Sequence, residues 1–145
     1  MLYTEIVIVI IIIFGGGNMQ KRSRQRELLL EILRGTTCHP DADWVYARMR
    51  EKMPNVSLGT VYRNLARLSE EGTILKLDVG QSMDRFDGSA APHYHLACST
   101  CGAVVDIPMA YAPALNDTAK KESGCEIESH SLLFHGKCPS CTGIK

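Results

Sequence analysis

Ser57-Leu58-Gly59-Thr60-Val61-Tyr62-Arg63-Asn64-Leu65-Ala66-Arg67-Leu68 decides how the first half of this chain folds. Leu58, Val61, Leu65 and Leu68 recur at the 3.6-residue helical period and form an apolar stripe expected to face a core. Pro54-Asn55-Val56-Ser57 reads as a turn ending in an N-cap, and Gly72 as a stop, so a helix is expected from Leu58 to Glu71. Thr60, Arg63, Asn64 and Arg67 fall on the opposite side, with Tyr62 on the flank. Hydroxyl, guanidinium and amide groups of this kind read base edges and grip phosphates. A solvated polar face has the same composition, so the surrounding elements must decide between the two.

Working outward, Arg24 to Leu33 carries Leu28, Leu29, Ile32 and Leu33 at helical spacing behind a basic cluster. His39-Pro40-Asp41-Ala42-Asp43 predicts the start of a second helix, with proline in the first turn and acids near the positive end of the dipole. That helix is expected to run to about Lys52. Downstream, two β-rich segments, Thr73–Val79 and Met83–Asp87, flank Gly80-Gln81-Ser82. Three helices followed by a hairpin is the winged-helix arrangement. Charge agrees with a nucleic-acid-binding head. The net charge is zero, yet Met19 to Lys52 holds eight Lys or Arg against five acids, and Met83 onward holds five against seven.

After Gly88 the pattern changes. Strands are expected at His93–Ala97, Ala103–Ile107 and Glu126–Phe134, with a helix around Ala114–Glu122. The fold class is therefore α+β: a winged-helix unit at 19–88, a linker at 89–92 and a small α/β unit at 93–145. Two small units fit within 145 residues. Ile6 to Phe14 is an apolar run of nine, too short for a membrane span of about 20 residues. It also lacks the basic flank and cleavage site of a signal peptide. Met19 is expected to be the native start, with residues 1–18 a start-site artefact.

Six cysteines could make a secreted disulfide scaffold, but four of them pair as Cys98-x-x-Cys101 and Cys138-x-x-Cys141, with 36 residues between the pairs. Four thiolates at this spacing suit a tetrahedral zinc ion, and a closed four-cysteine site is structural. Redox-active dithiols would need a thioredoxin-like βαβ context, which is missing here. Cys38 and Cys125 read as ordinary small residues, and a reducing, cytoplasmic compartment is favoured. His93 and His95, two apart on a strand, point to one face and can hold a second metal.

Ser57 to Leu65, Arg85-Phe86-Asp87, His93-Tyr94-His95-Leu96-Ala97-Cys98, and His130 with Gly136-Lys137-Cys138-Pro139-Ser140-Cys141 resemble, in order, the motifs of the ferric uptake regulator family. The resemblance covers Met19 to Cys141. It implies a homodimeric winged-helix repressor that binds a palindromic operator on double-stranded DNA when a divalent metal is bound. His93-Tyr94-His95 resembles the peroxide-responsive branch, where iron-sensing members usually carry His-His-Asp-His.

The resemblance further implies His39, Asp87, His93, His95 and Asp106 as regulatory ligands. Three imidazoles and two carboxylates suit Fe(II) or Mn(II), whereas thiolates take zinc. In that branch bound Fe(II) reduces peroxide and a ligand histidine is oxidised, here His39 or His93. The expected DNA contacts are Arg22, Arg24, Arg26, Ser57, Thr60, Tyr62, Arg63, Asn64 and Arg67. Where other branches have an acid within the histidine triplet for an auxiliary metal site, Tyr94 stands here, so His130 reads as a core or surface histidine, and His135 more weakly still. The alternatives are an iron, manganese or zinc uptake regulator indifferent to peroxide, and a small non-haem metalloenzyme. The latter lacks a candidate nucleophile or base beside the metal.

Overall fold

The computed structural model describes residues 21–143, so the segment 1–18 lies outside what is described. Helix α1 occupies 21–34 of the described residues. It is followed by α2 (Ala42–Lys52), α3 (Leu58–Glu70), β1 (Leu75–Leu77), β2 (Arg85–Asp87), β3 (Tyr94–Cys98), β4 (Val104–Ile107), α4 (Ala114–Ser123), β5 (Leu133–Gly136) and the short α5 (Pro139–Thr142). No helix among these residues is long and apolar enough to cross a membrane.

The three N-terminal helices close on one core of Leu28, Leu29, Leu33, Val45, Met49, Val61, Leu65 and Leu68, capped by Ile74 and Phe86 from the wing. Burying each such side chain contributes about 1.5–3 kcal/mol. Leu58 departs from the expected stripe: it is 37% exposed. As the first residue of α3 it precedes the turn that packs. Pro40 also sits outside its helix, because Asp41 is the N-cap and accepts the Trp44 N–H at 2.9 Å.

The wing strands are shorter than their β-rich segments suggested, three residues each, paired antiparallel with Leu75 opposite Asp87 and Leu77 opposite Arg85. The Phe86 N–H donates to the Pro40 carbonyl at 2.9 Å, tying β2 to the segment that enters α2. Close by, a Cβ on Gly88 would lie 2.9 Å from the backbone of both Leu33 and Arg34. Only glycine lets the end of the wing approach the last turn of α1 this closely.

The second sheet has the order β4-β3-β5, with β3–β4 antiparallel and β3–β5 parallel. The parallel pair is joined by a crossover through α4, as a parallel connection requires. Residues 126–132, expected to begin a long strand, pair with no strand among the described residues. Val79, Ala97 and Val104, with Leu77 and Leu133, form a second core that joins the base of the wing to this sheet. The helix α4 buries none of its residues, and Met109, Leu115, Leu132 and Phe134 remain exposed.

Candidate metal centres

The first centre lies where β3 ends and α5 begins. The sulfurs of Cys98, Cys101, Cys138 and Cys141 lie within 4.8 Å of one another. Cys101 Sγ and Cys138 Sγ are 3.7 Å apart. A disulfide would need about 2.05 Å. A tetrahedron with sulfur about 2.3 Å from its centre has edges of about 3.8 Å, so the spacing is that of four thiolates around zinc. Backbone N–H groups support the sulfurs: that of Cys138 donates to Cys98 Sγ at 3.3 Å. The backbone N–H groups of Cys101 and Cys138 pull the Cys98 thiol down to about 6. Hydrogen bonds with the sulfurs of Cys138 and Cys101 push Cys141 up to about 12. Clustered thiols cannot all ionise alone; a divalent cation removes that conflict.

The second centre is assembled from distant segments. His39 precedes α2, Asp87 ends β2, His93 and His95 flank Tyr94 at the start of β3, and Asp106 lies directly opposite His95 on β4. Their ligand atoms fall within 4.8 Å of one another. Nε2 of His39, His93 and His95 lie 3.0, 2.9 and 3.0 Å from Asp87 Oδ2. The same three nitrogens lie 2.9, 3.1 and 3.4 Å from Asp106 Oδ1.

The outward-facing atoms of these side chains are already engaged. His39 Nδ1–H donates to the Val104 carbonyl at 3.0 Å, and His93 Nδ1–H to that of Ala91 at 2.7 Å. Asp87 Oδ1 accepts the Ser89 N–H at 2.8 Å. A neutral imidazole with its proton on Nδ1 presents a lone pair at Nε2. Lone pairs of nitrogen and carboxylate therefore face one another at about 3 Å, an arrangement a cation between them would stabilise. Two donors at right angles, each about 2.1 Å from a common centre, lie about 3.0 Å apart, so the donor set fits a six-coordinate divalent ion.

Without such an ion, protons take its place. Burial opposes charge on His39, but the hydrogen bond and charge of Asp87 outweigh it and lift the imidazole above its ordinary range. His93 is lifted too, against burial, by the Ala91 carbonyl and the charges of Asp87 and Asp106. Asp87 resists the effect of burial through hydrogen bonds from His39 and His95, and stays far below the carboxylate range.

His39, Asp87 and His95 are no more than 9% exposed, whereas the Asp106 side chain is 52% exposed. A cavity of about 340 Å³, lined by Arg34, Thr36, Thr37 and Ser89, reaches the site from the side of Asp106. His39 also holds φ +47°, a left-handed backbone unusual outside glycine.

On the head, Lys21, Arg22, Gln25 and Arg26 of α1 face Thr60, Arg63, Asn64 and Arg67 of α3 across a cleft of about 290 Å³. The Ser57 hydroxyl caps α3, accepting the Thr60 N–H at 3.2 Å, and Tyr62 is 46% exposed. Arg26 is partly neutralised by Glu71, whose carboxylate accepts its guanidinium at 3.0 Å. Arg24 lines a separate groove with Lys21, Lys52 and Met53. The structure thus places Arg22 and Arg26 beside the polar face of α3 and Arg24 in the other groove. Lys21 and Gln25 line the same cleft and were not among the expected contacts, although the spacing of Gln25 from Arg22 shows one helical face.

The model of the ferric uptake regulator family matches residues 18–135. The chain belongs to the ferric uptake regulator family. It is 35% identical over 118 residues to the peroxide operon regulator of Bacillus subtilis (strain 168), covering 81% of each chain. It is 31% identical over 117 residues to the peroxide-responsive repressor PerR of Staphylococcus epidermidis (strain ATCC 12228 / FDA PCI 1200), covering 81% of this chain and 78% of that one. The crystal structure of the Campylobacter jejuni peroxide stress regulator superposes with a TM-score of 0.75 at 26% identity, covering 90% of this chain and 98% of that one.

One further cluster escaped the sequence reading in this ferric uptake regulator family member. His130, which had no expected partner, bonds to Tyr94, Tyr111 and Asn116. No periodicity links positions so far apart. Cys38 and Cys125 are exposed free thiols.

Proposed function

We propose that this protein is a metal-dependent, DNA-binding transcriptional repressor that responds to peroxide. One observation carries the reading: five ligand side chains drawn from the head and the sheet unit converge their donor atoms within 4.8 Å. His39 enters the second helix of the head, and His93, His95 and Asp106 lie on the sheet, so a shared ion is held only when the two units are clamped. Such an ion favours the clamped state by its differential affinity and makes DNA binding conditional on metal. Cys98, Cys101, Cys138 and Cys141 would hold zinc permanently and shape the sheet unit.

Bound Fe(II) would supply the one-electron reduction of peroxide, which Mn(II) would not. The residues do the rest. Carbonyl-anchored His39 and His93 aim Nε2 inward and are the side chains placed to be oxidised. His39, Asp87, His93, His95 and Asp106 would hold the ion, and the cavity beside Arg34 and Thr36 would let peroxide reach it. Losing one imidazole unclamps the units. The protein is consumed by the event, which makes it a regulator and not an enzyme.

Arg22, Thr60, Arg63, Asn64 and Arg67 line the cleft offered to DNA, with Tyr62 and Ser57 beside it and Arg24 and Arg26 as outlying phosphate contacts. The exposed apolar residues Met109, Leu115, Leu132 and Phe134, around an α4 that buries nothing, support a homodimer. Its two reading helices would meet successive major grooves about 34 Å apart on a palindromic operator. Six free thiols suit a reducing compartment, the cytoplasm.

The test is operator binding by Fe(II)- and Mn(II)-loaded protein before and after dilute peroxide, with mass spectrometry of the peptides holding His39 and His93. Loss of binding in the iron form alone, with one oxygen added to a histidine, is the expected result. Equal loss in both forms, or none, would select a metal-uptake regulator indifferent to peroxide.

A further inference from the structure

Tyr94 stands between two ligands of the second centre, yet its side chain leaves the opposite face of β3 and belongs to a different network. It is fully buried. The Ala112 N–H donates to its phenolic oxygen at 2.9 Å. An amide can only donate, so the oxygen accepts there, and its own hydrogen is directed to Nε2 of His130 at 2.8 Å. His130 therefore carries its proton on Nδ1, where the Asn116 side-chain oxygen accepts it at 2.7 Å. Tyr111 stacks on the His130 ring at 4.4 Å and 9°, and its hydroxyl donates to the His130 carbonyl at 3.3 Å. A buried phenol poised on a neutral base, one residue from two metal ligands, is unusual as mere packing: phenylalanine would fill the same space.

We infer that Tyr94 is a further oxidation site of this protein, a one-electron donor whose phenolic proton passes to His130 and which competes with His39 and His93 for the oxidant. The inference rests on the peroxide reading above. One electron, taken from Fe(II) that becomes Fe(III), reduces hydrogen peroxide to hydroxide and a hydroxyl radical. That radical takes one electron from Tyr94 and becomes a second hydroxide, while the phenolic proton crosses to Nε2 of His130. The products are a neutral tyrosyl radical and a His130 imidazolium that still donates from Nδ1 to Asn116.

A phenol gives up an electron readily only if its proton has somewhere to go, and here the acceptor is built in. Neighbouring Cα atoms in a strand are about 3.8 Å apart, so the phenol lies on the order of 10 Å from the ligand imidazoles through one strand. Each event spent on Tyr94 spares a histidine, so the pair sets how many peroxide encounters the switch survives.

The full-length, zinc-loaded chain is given one equivalent of Fe(II) and then one of hydrogen peroxide without oxygen. It is freeze-quenched for electron paramagnetic resonance, and a parallel sample is digested for mass spectrometry. A tyrosyl signal is expected that narrows when the protein is made with ring-deuterated tyrosine. Tyr111→Phe should retain it, His130→Leu should weaken it and Tyr94→Phe should abolish it. In Tyr94→Phe the share of chains with oxygen added to His39 or His93 should rise. In wild-type protein, which depends on no variant folding, the hydrogen-bonded proton should give a hyperfine coupling that disappears in deuterated buffer.

A tyrosyl signal without that coupling, or one that persists in Tyr94→Phe, overturns the inference. Histidine oxidation with no tyrosyl signal overturns it and leaves the peroxide reading standing. Neither histidine oxidation nor a radical overturns both.

Discussion

The two clusters of metal-binding side chains differ in where their ligands come from. The cysteine centre takes all four from two short knuckles, one after β3 and one opening α5, both within the sheet unit. The histidine–aspartate centre takes His39 and Asp87 from the head and its wing, and the other three from the sheet. A centre whose ligands share one unit contributes to folding; a centre whose ligands straddle two contributes to their arrangement. Exposure does not separate them: Cys98 and Cys138 are buried and Cys101 is exposed, while His39 and His95 are buried and Asp106 is open to a cavity that small molecules can enter.

The largest effect should follow removal of a cysteine. Cys138→Ser is expected to lose zinc stoichiometrically and to forfeit much of a binding free energy of about 10 kcal/mol, so the sheet unit should unfold. Zinc analysis with circular-dichroism melting checks this, and a wild-type melting temperature in that variant would erase the contrast. Next comes His39→Ala, expected to weaken Mn(II) binding by about 100-fold or more while zinc content stays at one per chain. Metal-stimulated operator binding should vanish, and the melting temperature after mild chelation should hardly move. If this variant still binds operator in response to Mn(II), the straddling role is wrong.

A pH titration sharpens the contrast further. Asp87 and its neighbours lift His39 and His93 above the ordinary imidazole value of about 6.5, so an entering metal must displace protons. Mn(II) affinity should therefore fall as pH falls. In chelated protein the sign reverses: the raised imidazoles contribute stability that is fully present below about 6.5 and lost as pH rises through their folded values. The gap in melting temperature between Mn(II)-loaded and chelated protein should widen with rising pH.

The smallest effect concerns the head alone. Arg67→Ala should reduce the salt dependence of operator binding by about one unit of slope, and Arg26→Ala by less, since Glu71 partly occupies that guanidinium. Equal slopes for the two variants would remove the distinction drawn between them.

Local pattern made much of this legible. The spacing of Val61, Leu65 and Leu68 marked the core side of α3, and two Cys-x-x-Cys pairs marked the thiolate centre. Five convergent ligands were a different matter. Their meeting depends on the Phe86 N–H reaching the Pro40 carbonyl and on the register that sets His95 opposite Asp106. Neither has a periodic signature, and the ligand set could be named only through the resemblance to a family. Exposure of Leu58, the loss of strand over residues 126–132 and the pairing of Arg26 with Glu71 all turn on tertiary neighbours that a one-dimensional reading does not supply. His130 is the sharpest case, since its partners lie 14, 19 and 36 positions away.

The absence of clearance at Gly88 has a practical consequence for anyone wishing to redesign this sensor. Gly88, the residue after Asp87, meets the last turn of α1 with no slack for even a methyl group. A longer acid at 87, or any side chain at 88, would shift the head before it changed metal preference. Tuning selectivity should therefore begin at Asp106, whose side chain is 52% exposed beside a cavity and has room to be exchanged.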